Sequence, residues 1–470
     1  MPRIPFSTQS YALDSLPASA QRLVNLYAER MEGPGRSDVL VRHVPGMVFF
    51  TGAGISKVWS GVQFGAYAYV VSGGFPDFTV YKVSSDGTAT LIGTITGGSS
   101  PITMAVTSTQ IAICSAPDGY IVASDVLTQI TDGDFPDVTS VCAIDGYFIW
   151  TKQDADEYVI SALLNGGAYD ALDFAGAESV PDSLLRAVED HGELVLFGSR
   201  SIEVHTHTGN PDFPFEPQPG GRIDVGTRAA ESVAKVDNTV MWLGSDLIVY
   251  RRTGYQRERI STHAIEKEIQ SFTQPELAQG FNVCFQGHDM YVLTFPATVN
   301  YNQGPGRTYI YDASTRLWHE RASSEGDLWT VAMSMRFGNR VLVGGSGSGN
   351  LFDLDPDLST ENGYPLTAIA TLPPLWGDAG LATLHRLELE MEPGANASEL
   401  NVSLDWSDDG GITYSAAPIE RSMGASGETT KRVFWTRLGK FRQRVMRFTF
   451  GGGAKLSLYG ANVQATGTRG

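Results

Sequence analysis

Cysteine is scarce: Cys114, Cys142 and Cys284 are the three in a chain of 470 residues. They are odd in number, far apart, and set in apolar, strand-like runs. That pattern excludes a disulfide framework and the paired spacings of a metal site, and it predicts buried, reduced thiols. No run of 18 apolar residues occurs, so no membrane-spanning helix is expected. The N-terminal MPRIPFSTQS lacks the apolar core of a secretion signal, and cytoplasmic synthesis and folding are expected. Charged residues are only 18% of the chain, and they are unbalanced: 34 basic against 52 acidic, a net charge of −18. Such a surface repels nucleic acid, and a non-specific DNA binder would need a clustered basic face. Catalytic signatures are missing as well. There is no G-x-S-x-G elbow, H-E-x-x-H pair or cysteine cluster. GGSGSGN (Gly344 to Asn350) lacks the Gly-Lys-Ser/Thr ending of a phosphate loop and is expected to be a hairpin turn. No catalytic, cofactor-binding or metal-binding residue is assigned, and the chain is not expected to be an enzyme.

What the sequence does have is glycine, 52 residues of it, with abundant serine and threonine. With few charges, this composition favours many short strands joined by turns. From about residue 50 a weak repeat appears: a turn, then four to six alternating apolar residues, then another turn. It is seen at FGAYAYVVSGG (from Phe64), STQIAICSAPDG (Ser108), DGYFIWTK (Asp145), HGELVLFGS (His191), DNTVMWLGS (Asp237), GHDMYVLTF (Gly287) and GNRVLVGGS (Gly338). The intervals of 44, 37, 46, 46, 50 and 51 residues are those of a four-stranded propeller blade. An all-β fold is therefore expected: a β-propeller of five to seven divergent blades over residues 51–364. It is preceded by an N-terminal arm (1–50) with a short helix at Ala18 to Met31, where Leu23, Leu26 and Tyr27 share a helical face. ISTHAIEKEIQSFTQPELAQGF predicts a helical insertion near 261–280, with Ser261 or Thr262 as N-cap and a second turn starting at Pro275. Such an insertion is a natural contact element, and Gln274 and Glu276 are candidate contacts. After Pro365, five further strand-like segments predict an antiparallel β-sandwich over 365–470.

Three groups of residues invite a chemical reading. Ser407, Asp409, Gly411, Thr413 and Tyr414 form an S-x-D-x-G-x-T-aromatic pattern that resembles the Asp-box of sialidase-type propellers. Physically it is a turn whose Asp and Ser side chains satisfy backbone amides. It occurs once and outside the repeat, so a structural role is expected. His205 and His207 point to one strand face and could be half of a metal site, but no third ligand is evident; an exposed strand face is the expectation. The third group is KRVFWTRLGKFRQRVMRFTF (Lys431 to Phe450), with seven basic side chains and no acidic one. Its charges are expected at the edge or tip of a hairpin, off the core face. Three readings stay open: contact with an acidic partner surface, a solvated edge that blocks sheet-to-sheet aggregation, or a nucleic-acid grip.

RLVNLYAER (Arg22 to Arg30) with Pro45-Gly46, SFTQPELAQG (Ser271 to Gly280) and the basic stretch followed by LYGA (Leu458 to Ala461) together resemble one family. It is the tail hub proteins of short-tailed bacteriophages, also called packaged-DNA stabilisation or tail accessory factors. The order and rough spacing agree over essentially the full length, and Arg432, Trp435, Arg437, Gly439, Arg442, Arg444 and Phe448 mark the most specific motif. The resemblance implies a structural protein of the virion tail, assembled in the host cytoplasm. It implies a homohexameric ring below the portal adaptor that closes the channel on packaged DNA. The ring would carry the distal needle or plug, with tailspikes or fibres attached nearby, and DNA would pass without sequence-specific binding. Candidate partner or subunit contacts are Arg432, Arg437, Lys440, Arg442, Arg444, Arg447, Gln274 and Glu276. The rival expectation is a glycan-binding or sialidase-like propeller, which would need an arginine cluster and a Tyr/Glu pair in its central pocket.

Overall fold

The computed structural model describes residues 3–13, 18–33, 35, 37–177, 182–210, 212–297, 306–323, 328–377, 380–396 and 398–468. Its strands form a seven-bladed propeller and a two-sheet sandwich. Five blades are free-standing four-stranded sheets. The sixth is continued into the sandwich, and the seventh takes its outer strand, Gly46–Gly52, from the N-terminal region. The seven repeat units seen in the sequence are the second strands of the seven blades: Tyr67–Gly74, Ile111–Ser115, Tyr147–Lys152, Glu193–Gly198, Thr239–Leu243, His288–Phe295 and Arg340–Gly345. The expected hairpin at GGSGSGN joins the last of these to Asn350–Asp355.

Local chemistry explains the repeat. Four of the turns entering these strands place two consecutive residues at positive φ: Asp145-Gly146, His191-Gly192, Asp237-Asn238 and Gln286-Gly287. Two-residue turns of that kind match the right-handed twist of the strands they join. Alternation then sends successive side chains to opposite neighbours. Along Thr239–Leu243, Val240 and Trp242 pack towards the fourth blade with Phe197 and Val204. Met241 and Leu243 pack towards the sixth with Tyr291, Leu293 and Trp318. Every blade interface holds one such apolar cluster, and the sandwich holds its own. Cys114 and Cys142 are buried in these interfaces as free thiols, whereas Cys284 is only partly buried.

The sandwich contains the five strand segments expected from sequence. One sheet runs Val433–Thr436, Leu381–Met391, Ser457–Thr468, Val39–His43, Leu26–Arg30. The other runs Leu23–Val24, Ala368–Thr371, Gln443–Phe450, Asn401–Ser407, Ile419–Ser422. Both include strands of the N-terminal arm. The helix expected at Ala18 to Met31 is therefore wrong. That segment is a series of short strands, broken where Asn25 takes a left-handed φ of 56°. Leu23, Leu26 and Tyr27 are all buried because neighbours cover the segment on both sides, and burial of both faces mimics helical spacing. The second helical expectation holds: Thr262 caps the helix His263–Ser271 through the Ile265 amide, and a 3-10 turn follows at Pro275–Leu277. Ile265 and Ile269 bury its inner face against the fifth and sixth blades.

Val24 pairs in parallel with Glu320 of the sixth blade and antiparallel with Ile369 of the sandwich. Beside it, Arg22 Nε donates to Glu320 at 3.1 Å and Ser10 Oγ donates at 3.0 Å. Tyr27 packs edge-on to His288 and tilted against His319, with ring centroids 5.1 and 6.4 Å away. His288 donates to Asp312 at 2.8 Å, an ion pair that raises the His288 pKa. His319 has no such partner: burial pushes it from 6.5 down to about 4, against a small opposing pull from Asp312. The unfolded chain therefore takes this proton first, and stability falls as pH drops from about 6.5 towards 4. A shift of that size corresponds to a loss on the order of 3 kcal/mol. His288 already contributes fully below its ordinary pKa and does not offset the loss in this window. Urea unfolding at pH 7 and pH 4.5 should show the drop, and His319→Gln should flatten it; an unchanged slope would remove His319 as its source.

Candidate functional site

The basic stretch occupies one end of the sandwich. Strand Val433–Thr436 buries Val433 and Trp435, and Trp435 Nε1 donates to the Ile419 carbonyl at 2.8 Å. The chain then turns through Arg437 (φ 60°) and Gly439 (φ 80°), a left-handed conformation that favours glycine at the second position. Lys440–Phe441 follows, and Gln443–Phe450 returns through the core.

Arg444 holds this turn from beneath. Its guanidinium makes a two-pronged pair with Asp408, at 2.6 and 2.7 Å, and donates to the carbonyls of Leu438 and Lys440. It lies 5.2 Å from the centroid of Trp406 and 5.0 Å from that of Phe441. With 2% of its surface exposed, it is a structural residue and is withdrawn as a partner contact. Arg447 is also committed within the chain, pairing with Asp405 and stacking 3.7 Å over Tyr414. Arg432 is exposed but tied to Glu388 at 2.6 and 2.7 Å, and that pair holds the Glu388 carboxyl below its ordinary range. The expectation that all these charges sit off the core is thus corrected. Alternation along Gln443–Phe450 turns Arg444 inward, and the price of burying it is met by a carboxylate and two carbonyls.

Arg437, Lys440 and Arg442 remain outward, with no ion pair among the described residues. Sequence reasoning missed their neighbour. Leu375–Trp376 pairs with Arg444 and Gln443, and the Gly377 amide donates to the Arg442 carbonyl at 2.8 Å. Trp376 is 61% exposed beside this tip. TLPPLWGDAG carries no periodicity, so its only sequence signal was a large aromatic in a Pro/Gly loop. Exposed aromatic and arginine side chains together are typical of the energetic centre of protein–protein interfaces. Gln274 and Glu276 lie far along the chain, in the helical insertion. Glu276 faces Arg228 at 3.4 Å, both half-exposed.

The other candidates are structural. Asp409 accepts from the amides of Ile412 and Thr413 at 3.0 and 2.9 Å and from the Ser407 hydroxyl at 2.5 Å, which drives its carboxyl strongly downwards. The expected exposed histidine face holds for His207, whereas His205 lies in a blade interface. His205 is buried against the Tyr158 hydroxyl at 3.0 Å, and His207 pairs with Asp145 at 2.9 Å, both residues of the third blade. The propeller channel is lined by Arg186 as its one arginine among the described residues, and no tyrosine lines it. A sialidase constellation is therefore not assembled there.

Fold and site together define the class: a propeller joined to a β-sandwich, with an exposed aromatic and basic tip. The family model described as Bacteriophage P22 Gp10, beta-propeller, matches residues 13–359, and the one described as Bacteriophage P22 Gp10, beta-sandwich, matches residues 371–466. The chain belongs to this phage tail hub family. It is 25% identical over 349 residues to the tail hub protein gp10 of Salmonella phage P22, covering 69% of this chain and 68% of that protein. Two solved structures align less closely. PorZ of Porphyromonas gingivalis gives a TM-score of 0.40 at 11% identity, over 73% of this chain and 45% of that one. The WD40 domain of Toxoplasma gondii coronin gives 0.38 at 9%, over 75% and 88%. The family residues also find a physical role. Arg22 and Tyr27 sit in the arm wedge, and the Pro45 carbonyl accepts from buried Arg321 at 2.9 Å. At Gly46 a Cβ would lie 2.5 Å from the Thr360 carbonyl oxygen, too close for any side chain.

Changing Arg444 and changing Arg442 should have opposite consequences for folding. Arg444→Glu would place a second carboxylate beside Asp408 in a buried pocket and should cost roughly 3 kcal/mol or more. Arg442→Glu should melt like the parent protein. Thermal unfolding of both variants checks this, and equal melting temperatures would contradict the assigned roles.

Proposed function

We propose that this protein is the hub, or nozzle, ring of a short phage tail. Six copies assemble below the portal adaptor and close the channel after packaging. They carry the distal needle or plug, with tailspikes or fibres attached nearby. The ring keeps DNA in the head and lets it pass on ejection, without sequence-specific binding and without catalysis. The observation that carries this reading is that one chain contains the family's propeller and sandwich in order, from residue 13 to residue 466. The outward tip of Arg437, Lys440, Arg442 and Trp376 supports it, because isolated positive charge on an acidic chain favours contact with an acidic neighbour such as a second copy. Charge also suits the task. Six copies at −18 each total −108, and a wall of that sign lets DNA slide without sticking.

Light scattering and electron microscopy test the proposal. Mixing the chain with the portal–adaptor complex should give rings near six protomers. Arg437→Glu, Lys440→Glu and Arg442→Glu combined should leave the monomer folded yet reduce ring formation at least tenfold. A chain that stays monomeric with the adaptor present and hydrolyses sialosides would overturn the reading. A strongly electropositive lumen in the assembled ring would overturn the sliding-wall argument alone.

A further inference from the structure

The propeller encloses its own axial cavity of about 550 Å³, walled by the inner strands of all seven blades. That volume falls within the usual range for a small-molecule site. The lining mixes apolar side chains, Trp59, Met104, Val141 and Phe281 among them, with a comparable amount of polar surface. Five charged residues line it: Lys57, Arg186, Lys235, Glu189 and Glu231. Two of these neutralise each other, since Lys235 donates to Glu189 at 2.6 Å. Glu231 accepts from Gln279 at 2.6 Å rather than from a cation.

Lys57 and Arg186 are left without an ion pair or hydrogen-bond partner among the described residues. Lys57 Nζ sits 3.7 Å from the centroid of Trp59, so its nearest company is an aromatic face. Burial lowers the pKa of both, in Lys57 to about 8, and the Glu231 charge only partly compensates. A partly buried cation with no direct ion-pair partner is costly to maintain, and two of them face one cavity in a protein of net charge −18. A guanidinium presents a planar fork suited to two oxygens, while an ammonium supplies a compact second charge.

We infer that the axial cavity is a binding site for a small phosphate-type oxyanion, held by Arg186 and Lys57. The apolar part of the lining, Trp59 and Phe281 included, leaves room for an organic portion, so phosphate monoesters fit as well as the free ion. Glu231 lies close enough to act on both cations and opposes the ligand's charge, which limits affinity. The site is independent of the basic tip on the sandwich and of ring formation.

Calorimetric titration of the full chain with inorganic phosphate and with pyrophosphate, at constant ionic strength against chloride, tests this. Saturable binding should weaken at least tenfold in Arg186→Met and in Lys57→Met. Glu231→Gln keeps the shape, removes the opposing charge, and should tighten binding severalfold; it keeps the test decisive if either cation variant fails to fold. Arg442→Glu should bind like the parent protein. Absence of saturable binding at millimolar phosphate would overturn the inference. So would binding that is unchanged by Glu231→Gln, or that is lost in Arg442→Glu.

Discussion

Two residues of backbone, Leu23–Val24, hold this molecule together. They lie between the outer strand of the sixth blade and the sandwich strand Ala368–Thr371, so one ten-stranded sheet crosses the domain boundary. A sheet edge leaves amides and carbonyls unpaired, and here each of the two domains covers the other's edge through the arm. Side chains lock the wedge in place: Asn25 donates to the Thr367 carbonyl on one side and accepts from the Ala322 amide on the other. The propeller and sandwich are consequently joined by one continuous sheet.

Closure of the ring follows the same logic. Gly46–Gly52 comes just after the arm and completes the last blade, pairing with Asn350–Asp355. The N-terminal region therefore stitches first blade to last and blade to sandwich. Between blades, cohesion comes from interdigitated apolar faces, reinforced where Arg252 of the fifth blade is buried against Asp190 and Glu193 of the fourth. A pair so deeply desolvated specifies geometry more than it adds net stability.

At the sandwich end the same principle produces a surface. Arg444 uses its hydrogen bonds inward, and the turn above it is fixed with Arg437, Lys440 and Arg442 facing solvent. A few cations presented on a fixed turn beside Trp376 would lower the ordering cost of any contact made there. In the propeller, Lys57 and Arg186 face the axial channel instead, partly buried and without an ion pair among the described residues.

Periodic features were legible in the sequence because they depend on near neighbours. The seven second strands, the turns before them, the capped helix at His263–Ser271 and the sandwich strands all follow from alternation, turn chemistry and capping. So did the family motif around Trp435. Features that depend on distant partners were not legible. RLVNLYAER has helical spacing, yet it is strand: Leu23–Val24 lies between Glu320 and Ile369, roughly three hundred residues away along the chain, and Leu26–Arg30 pairs with Val39–His43. The seven basic residues of the C-terminal motif look alike in sequence. Only the tertiary structure sorted them, because Asp408, Asp405 and Glu388 come from other segments of the sandwich and claim three of the arginines. Local physics determines which elements form; which faces meet, and which charges remain free, is decided by pairing across the fold.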